Sequence, residues 1–208
     1  MSHIKNHIGI STTIKLFLIV ISLQLSFTSA QTKTNLQVFY NLVDSSVAKI
    51  NQKITTPDLK INFTTGNYFD VFQNQVISDF LKLGKTVLSD SANNNSDVTR
   101  VNYTIDNANI KYGEMERDGF FGDFIMPRKI ELSGSYSLSN NIIKAEKFNF
   151  TYKDTVAVDK VKVIEYPFYP FTHGEVPSEP FFSSLFEPVV AISSAALAVI
   201  LFFTIRSK

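Results

Sequence analysis

Near its C-terminus the chain carries an uncharged apolar run, residues 188–205 (PVVAISSAALAVILFFTI), which few soluble folds could bury on every side. A core helix of a soluble domain keeps a polar face, and this run has none. At about 1.5 Å per helical residue it would reach about 27 Å, against a hydrocarbon core of about 30 Å. Ten of its residues are Val, Ile, Leu or Phe, each favouring insertion by roughly 0.3–0.6 kcal/mol. The run therefore predicts a transmembrane helix, with Arg206 and Lys208 on the cytoplasmic side. Its small face, Ser193 to Ala198, would let two such helices pair into a homodimer.

The other end reads as a secretory signal, residues 1–30. Lys5 and Lys15 charge its start, residues 16–25 (LFLIVISLQL) form a short apolar core, and Thr28-Ser29-Ala30 offers small residues for cleavage before Gln31. An uncleaved signal anchor is the alternative. Either version places the middle of the chain outside the cytoplasm. The organisation predicted is signal 1–30, extracytoplasmic domain 31–165, Pro/aromatic stalk 166–187, transmembrane helix 188–205 and cytoplasmic tail 206–208.

Residues 31–165 are enough for one domain with an adequate core. Thr34 to Ile54 places Leu36, Phe39, Tyr40, Val43, Val47, Ile50 and Ile54 on one helical face, with Thr34 or Asn35 as N-cap. Pro57 stops that helix. Residues 58–64 alternate, Leu59, Ile61 and Phe63 against Lys60, Asn62 and Thr64, as a half-buried strand does. A second helix spans 67–83, and Gly84 stands where a left-handed cap is wanted. A short strand at 85–88 and a polar loop at 89–97 follow. In 99–112 the apolar phase changes from Val101, Tyr103, Ile105 to Ala108, Ile110, Tyr112, which a bulge near Asp106-Asn107 would reconcile. Residues 113–127 (GEMERDGFFGDFIMP) form an irregular connection. Ile130, Leu132, Tyr136 and Leu138 resume alternation, Asn140-Asn141 turns the chain, and Phe148, Phe150 and Tyr152 continue in the paired strand. Val156 to Val163 either extends that strand or forms another. Residues 165–188 hold five of the seven prolines, and with their Tyr and Phe residues they read as an extended stalk.

The expected fold is α+β: two helices packed on one face of a mostly antiparallel sheet ending in a three-strand meander, plus the C-terminal transmembrane helix. The outer strand faces (Lys129, Glu131, Ser133; Lys147, Asn149, Thr151) are polar, as in a sheet covered on one side only.

Chemistry is harder to find. Cysteine is absent, which excludes a disulfide scaffold, a thiolate nucleophile and a thiolate metal site. It also points toward a bacterial envelope. Outside the signal the only histidine is His173, beside Glu175 in the proline-rich segment, a poor start for a metal site. The net charge of +1 implies no nucleic-acid partner. No catalytic, cofactor-binding or metal-ligating residue is assigned, and no cofactor is expected. The carboxylates Glu114, Glu116, Asp118 and Asp123 offer one enzymatic alternative, a hydrolase working from the 114–123 loop. Four sequons, at Asn62, Asn94, Asn102 and Asn149, keep a eukaryotic type I membrane glycoprotein open as a second alternative. The candidate contact residues are aromatic: Phe120, Phe121 and Phe124 in the loop, and Tyr166, Phe168 and Tyr169 in the stalk.

Residues 75–88 (QVISDFLKLGKTVL), a helix ending at Gly and running into a strand, come before 101–105 (VNYTI), 132–138 (LSGSYSL) and the paired 144–152. This outline resembles the envelope accessory domains of the curli-secretion and penicillin-binding-protein-activator lipoproteins. The resemblance covers residues 58–152 and is one of pattern. Those proteins carry a lipobox cysteine, which is missing here, so no functional residue is carried over. It implies a non-enzymatic envelope role: an anchored extracytoplasmic binding or scaffold protein, periplasmic in a bacterium, that contacts another envelope protein.

Overall fold

The computed structural model describes residues 32–64, 66, 68–89, 91, 97–119, 122–140, 143–180 and 183–206. The signal region, the sequon at Asn94 and the loop residues Phe120 and Phe121 lie outside the described residues.

Helix α1 (Asn35–Asn51) starts at a capping box. Gln37 N–H donates to Thr34 Oγ1 at 3.2 Å, and Thr34 N–H donates to Gln37 Oε1 at 3.0 Å. Two of the otherwise orphaned donors of the first turn are thereby satisfied. Val38, Phe39, Leu42, Val43, Val47 and Ile50 are buried along one face. Strand β1 (Asp58–Thr64) follows. A 3-10 turn (Asp70–Phe72) then leads into α2 (Gln73–Lys82). Gly84, with φ of +80°, supplies the left-handed exit, and Lys85 N–H donates to Phe80 O at 3.0 Å.

Helix α2 carries the chain across to β2 (Thr86–Val87), which therefore pairs parallel to β1. Strand β3 (Thr99–Tyr112) also runs parallel to β1, on its other side. Strands β4 (Glu116–Arg117), β5 (Phe124–Ser139) and β6 (Ile143–Ala157) pair antiparallel. The sheet order is β2–β1–β3–β5–β4, with β6 also on β5. The sheet is thus mixed: β1 runs parallel to both β2 and β3, with a helical crossover fixing the direction of β2, while every pairing made by β5 is antiparallel. The antiparallel run β3–β5–β6 is the expected meander. Its register slips between Ile105 and Asn107, where the phase change required a bulge.

One apolar cluster joins α1, α2, β1, β3, β5 and β6 around Phe39, Phe72, Phe80, Tyr103 and Leu132. Fully burying such a side chain contributes roughly 1.5–3 kcal/mol. A smaller cluster of Met115, Met126, Val156, Val161 and Ile164 closes the far end of the β5–β6 hairpin. After Ala157 the chain leaves the sheet through a 3-10 turn (Val158–Lys160) into the short helix α3 (Val161–Ile164), so Val158 to Val163 neither extend β6 nor form a strand.

The segment read as a membrane span is helical, as part of α4 (Ser183–Arg206), and Pro188 lies inside that helix instead of preceding it. Among the described residues no helix is long and apolar enough to cross a membrane, which overturns the expected transmembrane helix. The single-pass topology and a dimer through a membrane-spanning helix lose their basis with it. Val189, Ile192 and Phe203 are among its exposed apolar residues.

Where α1 meets α2, Gln75 Nε2 bridges two carboxylates, donating to Asp44 Oδ1 at 2.7 Å and to Asp79 at 3.1 Å. Burial, and then the hydrogen bond with Asp79, raise the Asp44 pKa above its usual 3.8, while the Gln75 bond opposes the shift. A raised carboxyl contributes stability that is present below 3.8 and is lost as pH rises through the shifted value. Asp44→Asn is therefore expected to melt higher than the wild type at pH 7 and to lose that advantage near pH 3, as followed by thermal circular dichroism. An Asn variant that melts no higher at pH 7 would contradict the coupling.

Candidate functional site

In β5 the even-numbered residues face the core: Met126, Arg128, Ile130, Leu132. Arg128 therefore enters the interior, and its side chain has no solvent exposure. A buried guanidinium is stable only if its donors are used. Nε and Nη2 donate to Asp154 Oδ1 and Oδ2 at 2.8 and 2.6 Å, a two-pronged pair with the neighbouring strand β6. Nη1 donates to Asn35 Oδ1 at 2.6 Å and to Lys33 O at 3.0 Å. Tyr152 OH also reaches Asp154 Oδ2 at 3.3 Å.

Asn35, fully buried at the start of α1, passes the network onward. Its Nδ2 donates to Tyr112 OH at 3.0 Å and to Thr172 O at 2.8 Å. Tyr112 OH donates to Glu165 Oε1 at 3.1 Å, and the same oxygen accepts from Gly174 N–H at 3.0 Å. Burial pushes the Tyr112 pKa up to about 12, with the Asn35 bond opposing and the Glu165 charge adding to the shift. Tyr112 thus stays a neutral donor at ordinary pH. A Cβ at Gly174 would lie 2.9 Å from the Tyr112 ring, so only glycine lets the chain pass this close.

These bonds tie residues 165–174 to the domain. The prolines predicted an extended stalk here, but Pro170 opens a 3-10 turn (Pro170–Thr172), and Phe171 and Thr172 are buried. Thr172 Oγ1 accepts from Tyr166 N–H at 2.9 Å and bonds the carbonyls of Tyr166 and Tyr169. The Phe171 ring sits 5.3 Å from Phe39 and 5.4 Å from Phe72, centroid to centroid. From Phe171 the rings step outward: Tyr169 at 5.5 Å, Tyr166 at 5.2 Å from Tyr169, and Phe168 at 5.8 Å from Tyr166. Tertiary packing of one aromatic ring overrides the local preference of the prolines.

The sequence-predicted contact residues therefore divide. Tyr166, Phe168 and Tyr169 come together as a ledge, and Phe168 is 78 % exposed. Phe124 begins β5, half-buried, with the Arg117 guanidinium 4.7 Å from its ring centroid. Arg128, Asp154, Asn35, Tyr112 and Glu165 were missed. Strand parity held the signal for two of them, since Arg128 and Asp154 fall in the apolar phase of β5 and β6. Among the described residues no group of three or more His, Asp or Glu side chains could hold a metal ion. Asn62 and Asn102, two sequon positions, are exposed on the outer sheet face, where Asn62 Nδ2 donates to Asn102 Oδ1 at 3.2 Å.

The class defined by this geometry is an α+β domain, helices over a one-faced mixed sheet, with a chain segment strapped to its end by a buried ionic network. No protein-family model matches the chain, and no curated protein sequence does. Solved structures with similarity include a minor lipoprotein from Acinetobacter baumannii (TM-score 0.32, 9 % identity, 51 % of this chain and 69 % of that one). Another is the rare lipoprotein B from Shewanella oneidensis (0.30, 9 %, 47 % and 68 %). A third is described as a neuraminyllactose-binding hemagglutinin homolog from Helicobacter pylori (0.29, 14 %, 52 % and 69 %). Two of these three are bacterial lipoproteins; at such scores the likeness assigns neither fold nor role.

Removing one partner of a buried ion pair leaves the other uncompensated, at a cost of about 3–5 kcal/mol. Arg128→Met should lower the unfolding free energy by that order in urea titrations, and adding Asp154→Leu should recover part of the loss. A single variant as stable as the wild type would show that the network does not hold the strap.

Proposed function

We propose that this chain is a binding or scaffold module of a bacterial cell envelope that acts by contact with another protein and not by chemistry. The single observation that carries this reading is the aromatic ledge. Exposed rings on a loose segment would have to be ordered on binding, which costs free energy. Here Tyr169 stacks on Phe171 and Tyr166 on Tyr169, and the Phe168 ring lies tilted against Tyr166. The backbone beneath them is held by Thr172 and Glu165. Rigid, preordered Tyr and Phe side chains are what protein interfaces use as anchors. The absence of cysteine and the secretory character of residues 1–30 support the envelope setting.

The charged groups of the buried network are engaged in structure: Arg128 with Asp154, and Glu165 with Tyr112 and Gly174. That is the arrangement of a fastening, in contrast to a catalytic pair left free to exchange protons.

A photocrosslinking residue at position 168 of the full chain should capture one discrete envelope protein, whereas the same residue at exposed position 74 should not. Tyr166→Ala combined with a crosslinker at 168 should reduce the yield by about tenfold or more, the scale of a hot-spot loss. Equal capture from positions 168 and 74 would sink the ledge as the contact surface.

A further inference from the structure

Strand β1 covers only part of one edge of β3. It pairs from Leu59 with Thr99 to Thr64 with Thr104, and then ends. Strand β3 continues to Tyr112, paired with β5 on its other edge throughout. Among the described residues, no strand pairs with residues 105–112 on the β1 side. Beside this bare stretch lies a groove of about 500 Å³ lined by Ile110, Lys111, Tyr112, Glu175 and Pro177. Its far wall is the chain just beyond Gly174, where the strap is fastened by Glu165 and packed on the Tyr112 ring.

We infer that this groove takes an extended peptide segment of a partner protein, which adds to the free edge of β3 as a strand in line with β1. The chemistry of both faces specifies the segment. On the inner face, Ala108 and Ile110 are nearly buried beside the half-buried Tyr112, which calls for apolar residues at alternate positions. On the outer face, Lys111, Lys129 and Lys153 stand directly opposite one another across β3, β5 and β6. Like charges in register oppose each other, and the carboxylate facing all three is Glu131, held below its usual range first by its hydrogen bond from Lys129. The row keeps a positive surplus. An added strand with an acidic residue beside Lys111 offsets it. Glu175 lines the opposite wall, so the acidic side chain belongs on the outer face only. Asn109 Oδ1, on the same stretch, is buried without a hydrogen-bond partner among the described residues, and a donor on the incoming strand would complete it.

The long edge of β6 is the competing site. It carries Lys144, Lys147 and Lys153 along its length, the usual guard against edge pairing. The end of the β3 edge, residues 110–112, instead faces Glu175 and Pro177 across the groove. The inference rests on the proposed protein-binding role but uses different residues from the aromatic ledge.

The test uses the full chain and a synthetic peptide, acetyl-TVEVTVEV-amide, with a proline-substituted version that cannot donate to a strand ladder. Amide hydrogen exchange is followed by residue. The expected result is at least fivefold slower exchange confined to residues 105–112 with the alternating peptide and no change with the proline version. Lys111→Glu should abolish that protection while the melting temperature holds. No protection at 105–112, equal protection by the proline peptide, or protection at 143–157 instead would overturn the inference. Peptide protection that persists while crosslinking from position 168 fails would sink the ledge and leave the groove standing; the reverse result would sink the groove.

Discussion

Arg128 places a full positive charge inside a domain whose other inward side chains on β5 are Met126, Ile130, Leu132, Tyr136 and Leu138. Desolvating that charge is expensive, so the interior around it must supply oxygens at fixed positions. Asp154 on the next strand supplies two, Asn35 on α1 one, and the Lys33 carbonyl one. Four separate decisions of the fold follow from this. The register of β6 on β5 must put Asp154 opposite Arg128, and it does. Helix α1 must begin where Asn35 can turn its amide inward. Tyr112 at the end of β3 must meet that amide. The chain after the sheet must return so that Thr172 and Glu165 can accept the remaining donors.

The same arrangement explains how a proline-rich segment becomes part of the fold. Residues 165–174 contribute one buried ring, Phe171, and two buried or half-buried polar groups. Tyr166 and Phe168 on that segment are displaced outward, with the half-buried Tyr169 between them and Phe171. Exposed aromatics on this protein are therefore by-products of a fastened backbone, and the fastening makes them usable as an interface. The groove beside Tyr112 has the same origin: the strap passes close to β3 without pairing to it.

Much of the fold was legible in the chain. The helical period through Phe39, Val43, Val47 and Ile50, a cap at Thr34 or Asn35 that falls on Thr34, the Gly84 exit and the shift of phase at Asp106-Asn107 each state a local rule, and each holds in the structure. The polar outer face was legible too, with Glu131 opposite Thr151 and Ser133 opposite Asn149. What misled was equally specific. Alternation in residues 58–64 says that a strand exists but not which way its neighbours run, and α2 decided that. Proline content at 165–188 says that helix is disfavoured, but not that Phe171 finds a place among Phe39, Phe69 and Phe72. The apolar composition of 188–205 says that a helix will form, but composition does not establish a span. Of the site, the ledge residues could be named from their aromatic character, whereas the network beneath them could not.

The sequence by itself determined helix α1, the long strands with the bulge and most of their buried faces, because periodicity and caps act between residues a few positions apart. It also determined that thiol chemistry is absent, since the chain has no cysteine. Only the tertiary structure decided that β1 runs parallel to β3, that Arg128 and Asp154 meet inside, that residues 165–174 fold back onto the domain, and that among the described residues no strand pairs with 105–112 on the β1 side of β3. Those outcomes depend on contacts between residues up to 137 positions apart, as between Asn35 and Thr172. Such contacts are selected by the desolvation cost of the groups they bury, and no local pattern records that cost.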